Sequence, residues 1–194
     1  IHVMVVDGMT ARAVPAEPEL MRGLVVRENG GYDFGAWADA FRTFPALWQA
    51  AAVLLVNDSV FGPFGDFDRL MTRALRTPAD LVGLTESAEI TPHFQSYFLL
   101  LKGNALSHPG ARAFWREIVN LPSKRATILA YEVPLVERFR RLGLTCTALF
   151  PWRGPTEAPW DNPTHHHWRR LLALGFPYIK VELLRDNPAR IDIR

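Results

Sequence analysis

Cysteine is nearly absent. Cys146 is the only one in 194 residues, which excludes a disulfide framework and a cysteine-built zinc site. An excess of one charge is missing too: 22 Lys and Arg stand against 20 Asp and Glu, a formal net charge of +2. Nucleic-acid binders cluster basic residues against phosphates, so no nucleic-acid partner is expected. No apolar run reaches the ~18 residues of a membrane span, and the longest, residues 50–56, stops at Asn57-Asp58. Nor does a basic stretch followed by an apolar one mark a signal segment. These absences predict a cytoplasmic protein.

The remaining composition, 48% hydrophobic and 22% charged, is that of an ordinary folded chain. A chain of this length buries roughly 70% of its unfolded surface as one domain. The 15 prolines exceed the usual ~5% and predict many loops. Because the chain opens in an apolar strand at Ile1 without an initiator Met, residues 1–194 are expected to be a single domain cut from a longer polypeptide.

Residues 2–6 form a β-rich run ending at Asp7-Gly8, and residues 24–27 a second strand broken by Asn29-Gly30-Gly31. A helix is predicted from Asp33, a good N-cap, with Phe34, Trp37, Phe41, Phe44 and Trp48 at spacings of three and four and a break at Pro45. Residues 53–56 are apolar throughout, as in a parallel strand covered on both faces. Further strands are expected at 81–84, 96–101 and 144–150 and helices at 66–76, 110–119, 131–142 and 164–174, with a closing segment at 178–184. Gly143 is placed as a helix C-cap, and 151–163 reads as a proline-rich linker or lid. The alternation predicts an α/β fold with a mainly parallel sheet flanked by helices.

Ligands of open α/β sheets bind beyond the carboxyl ends of strands. Asp7, Asn29, Asn57-Asp58-Ser59 and Thr85-Glu86 sit at those ends, although any strand must end in something polar. The turn around Gly30, Gly31 and Gly35 allows close approach to a ligand, and the helix start behind it could receive a diphosphate. Its spacing is neither a dinucleotide fingerprint nor a P-loop, so a tight turn capped by Asp33 remains open. Asp58 could bind ribose hydroxyls or a cation, Mg²⁺ or Mn²⁺, that bridges a diphosphate. One carboxylate is a thin ligand set, so metal-independent binding fits equally, as does an Asx-turn.

Glu132 opens the predicted helix 131–142, with Val136, Phe139 and Gly143 on its face. Desolvation there would move its pKa toward base-competent values, while a helix N-terminus favours the anion. A plain first-turn glutamate stays open as well. His165-His166-His167 point about 100° apart on a helix and cannot share one ion, so they read as decoration of a helix start capped by Thr164. Ser59, Ser87 and Ser96 lack a Gly-x-Ser-x-Gly context, which leaves a serine hydrolase unsupported.

Taken together, several segments resemble one family. Arg27-x-Asn29-x-Gly31-Tyr32-Asp33-Phe34-Gly35-Ala36-Trp37, residues 54–63, Gly83-Leu84-Thr85-Glu86-Ser87, His93-Phe94-Gln95-Ser96-Tyr97-Phe98, Phe114-Trp115, Tyr131-Glu132-Val133, Asn162-Pro163, Trp168 and residues 175–188 resemble the rhamnan synthesis protein F family, over about residues 23–188. That resemblance implies bacterial surface-polysaccharide assembly by glycosyltransferases using nucleotide-activated rhamnose or a similar sugar. A looser likeness is to inverting glycosyltransferases of the GT-A fold, which implies a GT-A-like, Rossmann-type sheet. Asp7-Gly8, Asn29-Gly30, Asn57-Asp58-Ser59 and Glu132-Val133-x-Leu135-x-x-Arg138 follow that order. Two departures stand out: the Asp-x-Asp is Asn57-Asp58-Ser59, and the second acid of the catalytic pair is Val133.

The resemblance implies these roles. Glu132 is the base that takes the acceptor's proton. Asp7 and Asn29 contact base and ribose, and Gly31 and Asp33 belong to the donor site. Asn57, Asp58 and Ser59 hold the ribose–diphosphate end, with Asp58 the metal ligand if a metal is used. Lys180 and Arg185 neutralise the leaving diphosphate, and His93 and Gln95 orient sugars. The implied partners are a nucleotide-diphosphate sugar, dTDP-rhamnose favoured, and a glycan acceptor that could be lipid-linked at the inner face of the cell membrane. A non-catalytic nucleotide-sugar or glycan-binding module in a polysaccharide-assembly protein is the alternative.

Overall fold

A computed structural model describes residues 2–8, 21–28, 30–152, 161–187 and 190–193. Strands β1 (His2–Asp7) and β2 (Met21–Arg27) pair in parallel as a two-stranded ribbon. Helix α1 (Tyr32–Thr43) follows and tightens into a 3₁₀ turn at Pro45–Gln49, because Pro45 lacks the N–H that would continue it. Next come β3 (Ala52–Val56), the short β4 (Val60–Phe61), α2 (Phe67–Arg76), β5 (Leu81–Ser87), β6 (His93–Phe94) and β7 (Phe98–Lys102). Helices α3 (Gly103–Ser107), α4 (Pro109–Arg116), α5 (Lys124–Thr127) and α6 (Val133–Arg141) follow, the last two joined by a π-helical turn at Ile128–Glu132. The chain continues through β8 (Cys146–Phe150), α7 (Pro163–His166), α8 (Trp168–Ala173), β9 (Ile179–Lys180) and α9 (Val181–Arg185).

The class is mixed α/β, but the sheet is not mainly parallel as expected. In the five-stranded sheet β7 lies between β3 and β5 and runs antiparallel to both, while β6 is antiparallel to the far end of β5. Within this sheet only β8 runs parallel to its neighbour β5. The sequence does contain the physical reason. A parallel return needs a crossover of about a dozen residues or more, usually a helix. Residues 88–97, which link β5 to β7, contain no helix. Nor is β3 covered on both faces as its apolar run predicts: it is an edge strand with Leu54 half-buried and Val56 exposed.

Period-two alternation sends the strand side chains to two cores. Val53, Leu55, Leu81, Leu99 and Leu101 pack with Phe34, Trp37, Phe41, Trp115 and Phe139 on one face. Val82, Leu84, Phe98 and Leu100 pack with Leu70, Ala74, Leu171 and Phe176 on the other. Of the predicted aromatic series, Phe34, Trp37 and Phe41 are core residues of α1 and Trp48 of the 3₁₀ turn packs against them, while Phe44 joins neither core. Phe34 stacks on Trp115 at 5.8 Å between centroids, and Trp48 on Phe41 at 4.0 Å.

Several helix ends match the sequence and others do not. Asp66 caps α2 by accepting from the Arg69 N–H at 2.9 Å. Gly143 ends α6 with φ +80°, and Leu144 N donates to Phe139 O at 3.1 Å, the wide loop of a Schellman end. By contrast, Gly31, with φ 77°, is the N-cap of α1, which leaves Asp33 inside the first turn. Asn162, not Thr164, caps α7. Most of the expected lid, residues 153–160, lies outside the described residues. No helix among the described residues is long and apolar enough to cross a membrane.

Candidate functional site

Glu132 does not open a helix. It ends the π-turn inside a helical run from Lys124 to Arg141, so the expected opposition between burial and a helix N-terminus does not arise. Pro134, two residues on, cannot donate the usual i→i−4 bond. Single π-turns of this kind are frequent where a helix must aim a functional side chain.

The turn aims the carboxylate at the loop before β7. Ser96 Oγ donates to Glu132 Oε2 at 2.9 Å. His93 Nε2 lies 3.8 Å from the other oxygen, Oε1, with side-chain exposures of 6% for His93 and 15% for Glu132. The second ring nitrogen, Nδ1, is 2.7 Å from the carbonyl of Thr91. A carbonyl only accepts, so this nitrogen donates.

A second acid approaches from α1. Asp33 Oδ2 accepts from Asn57 Nδ2 at 2.8 Å, while Asn57 Oδ1 accepts from Ser59 N at 3.0 Å and Ser59 Oγ at 2.6 Å. Asn57 therefore forms the Asx-turn that ends β3 and ties it to α1. Burial raises the Asp33 pKa above the ordinary carboxylate value. Asn57 works against that rise, Glu132 and the exposed Asp58 add to it, and Lys124 opposes it.

The facing cation is Lys180 on β9, whose Nζ sits 4.8 Å from the centroid of the Tyr97 ring. Burial lowers its pKa, Lys124 adds to the fall, and Glu132, Glu182 and Asp33 oppose it. Tyr97 is wholly buried, and its hydroxyl has no hydrogen-bond partner. Its phenol is pushed well up by burial, with Glu132 and Tyr178 adding.

Asp33, Asn57, Asp58, Ser59, His93, Glu132 and Lys180 thus belong to one polar neighbourhood. Other expected site residues are occupied elsewhere. Asp7 pairs with Arg27 Nε at 3.4 Å, and Arg27 also reaches Asp39 at 3.1 Å. Gln95 is buried, donating to Asn162 Oδ1 and accepting from Thr164 Oγ1, each at 3.0 Å. Gly31 and Gly35 make room for Asn120: a Cβ on Gly35 would lie 2.7 Å from Asn120 Oδ1 and 2.8 Å from Gly30 O. Arg185 is exposed and bonded to Asp186 at 2.9 Å. Asn29 lies outside the described residues.

The histidine run is absorbed by carboxylates: His166 and His167 both face Asp161, and His165 faces Glu182. Ser96, Tyr97 and Lys124 are neighbourhood residues that the sequence reading did not assign to the site. Tyr131-Glu132 and His93-to-Phe98 are both among the resembling segments, but nothing in the chain order says that they touch.

Among the described residues no three His, Cys, Asp or Glu side chains gather as a ligand group, and Asn57 is committed to Asp33 and Ser59. Two surface hollows flank the fold, one lined by Gly30, Tyr32, Asn120, Leu121 and Pro122 and the other by Phe64, Leu172, Gly175, Phe176 and Ile179. Neither is lined by Asp33, Asp58 or Glu132.

This arrangement, a carboxylate held by one oxygen beside an imidazole and a half-buried ammonium, is suited to moving a proton near an anionic group. The family model for Rhamnan synthesis protein F matches residues 9–192, and the chain belongs to that family. The chain is similar to Virulence protein VirA of Vibrio anguillarum (strain ATCC 68554 / 775), 32% identical over 84% of this chain and 62% of that protein. It is also similar to Uncharacterized protein y4gN of Sinorhizobium fredii (strain NBRC 101917 / NGR234), 27% identical over 66% of this chain and 34% of the relative. The chain thus spans about three fifths of the length of the first relative. No solved structure matches it.

Proposed function

We propose that this chain is a GT-A-like glycosyltransferase working at the cytoplasmic face of the membrane. It moves a sugar, rhamnose, from a nucleotide-diphosphate donor, dTDP-rhamnose favoured, to a growing surface glycan whose acceptor can be lipid-linked. Membership of a family named for rhamnan synthesis supports the substrate class. The observation that carries the catalytic reading is Glu132, with Oε2 fixed by Ser96 and Oε1 left for a proton.

In this reading Glu132 Oε1 takes the acceptor hydroxyl's proton as that oxygen attacks the anomeric carbon from the face opposite the diphosphate, giving inversion. Lys180 meets the negative charge that grows on the leaving diphosphate. Asp58, exposed beyond β3, holds ribose hydroxyls, and Asp33 and Ser59 shape that end with Asn57. No step is routed through Mg²⁺ or Mn²⁺.

A binding module without catalysis has one observation in its favour, Val133 where the resembling enzymes carry a second acid. Two measurements decide. In a thermal-shift screen of dTDP-, UDP- and GDP-linked sugars, a ligand at 100 times its Kd stabilises by about 2.7 kcal/mol. Incubating the best donor with a glycan acceptor should then release free nucleoside diphosphate and add the mass of one sugar without phosphate. Binding with no transfer would favour the module.

A further inference from the structure

The structure assigns His93 as the proton-sharing partner of Glu132, an imidazole held by Thr91 in the tautomer that points a bare Nε2 at the free carboxylate oxygen. This rests on the reading of Glu132 as base and adds to it the place where the proton goes next.

Three contacts fix the geometry. Nδ1 is 2.7 Å from the Thr91 carbonyl, which leaves Nε2 without hydrogen in the neutral ring. Ser96 occupies Oε2, so Oε1 is the oxygen with capacity to spare. Nε2 and Oε1 face each other at 3.8 Å with both side chains largely out of water. Two lone-pair atoms so placed repel unless a proton lies between them. That separation is too long for a direct hydrogen bond, but it suits a hydroxyl entering beside both or a proton handed across after a small closure. Asp33, Lys180 and Tyr97 face Glu132 from α1, β9 and the loop before β7, and Lys124 acts on Asp33 and Lys180.

The step balances. The acceptor O–H bond breaks and its oxygen bonds to the anomeric carbon. The bond from that carbon to the diphosphate oxygen breaks, and its electron pair leaves with the diphosphate. The proton passes to Glu132 Oε1 and then to His93 Nε2, giving an imidazolium beside a restored carboxylate, and finally to solvent. His93 acts through Glu132 and is a positioning residue.

The test is ¹H–¹⁵N NMR of the His93 ring in the full chain across pH 5 to 8. The neutral ring of the unaltered protein should be the Nδ1–H tautomer, which needs no variant to observe. Glu132→Gln should move the His93 ¹⁵Nε2 resonance, read at one fixed pH, because the altered group lies 3.8 Å from that nitrogen. An Nε2–H tautomer, or an Nε2 resonance that Glu132→Gln does not move, overturns the assignment. Both signals are read without turnover. Absence of sugar transfer would therefore sink the enzymatic reading and leave the pairing standing, while an unmoved Nε2 resonance in an active enzyme would do the reverse.

Discussion

Asn57 and Asp33 meet at 2.8 Å and join the carboxyl end of β3 to the first turn of α1. The amide donates to a half-buried carboxylate while its own oxygen is held by Ser59, so one asparagine fixes the edge of the site. Hydrogen bonds to charged groups contribute about 1.5–3 kcal/mol, and the partial exposure here argues for the lower part of that range. Asn57→Ala should lower Tm by several degrees, at roughly 2–4 °C per kcal/mol for a chain of this size. It should also weaken nucleotide-diphosphate binding, read by isothermal titration. An unchanged Tm would remove the bond from the account.

Asp33 also sets a pH dependence. Burial raises its pKa, and Glu132 and Asp58 add to the rise despite Asn57. A carboxyl whose folded pKa exceeds its unfolded value stabilises the fold fully below the unfolded pKa, and that stabilisation is lost as pH rises through the folded pKa. Ionised Asp33 is therefore a cost at neutral pH. Asp33→Asn should raise the urea midpoint at pH 7, and the gain should shrink toward pH 4. A gain of equal size at both pH values would contradict the shift.

The glycines at the start of α1, Gly31 at its N-cap and Gly35 in its first turns, act by leaving space for protein. Gly35→Ala would drive its Cβ against Asn120 Oδ1 and Gly30 O, and overpacking of this kind costs about 1–3 kcal/mol. Gly103→Ala, which would meet nothing within 4 Å, should be neutral or gain up to about 1 kcal/mol from reduced freedom of the unfolded chain. Urea denaturation of the two variants separates them. Equal midpoints would mean that the start of α1 tolerates a side chain at Gly35 and that this glycine serves something other than packing.

Local rules explain what the sequence reveals. The aromatic spacing of α1, the Asp66 cap, the Gly143 end and the apolar strands all depend on neighbours a few residues away, and each is found where those rules place it. Strand direction is a non-local property, and an apolar run does not encode it. The missing helix between Ser87 and Phe98 was the usable signal. The site is legible in its residue types and less so in its assembly. Asp33 looks like a cap because aspartate commonly is one, yet its bond runs to Asn57. Ser96 looks like the start of a strand, and only the folded chain brings it to Glu132. Gln95 has the chemistry to bind a sugar, but burial beside Asn162 and Thr164 uses both ends of its amide.

The most direct measurement is sugar transfer by Glu132→Gln, with donor affinity determined on the same preparation. The amide keeps the size of the side chain and removes the group that accepts the proton. Turnover should fall about 10²- to 10⁴-fold, the usual contribution of a positioned base, with donor Kd unchanged. Turnover equal to that of the unaltered protein would contradict the account at its centre.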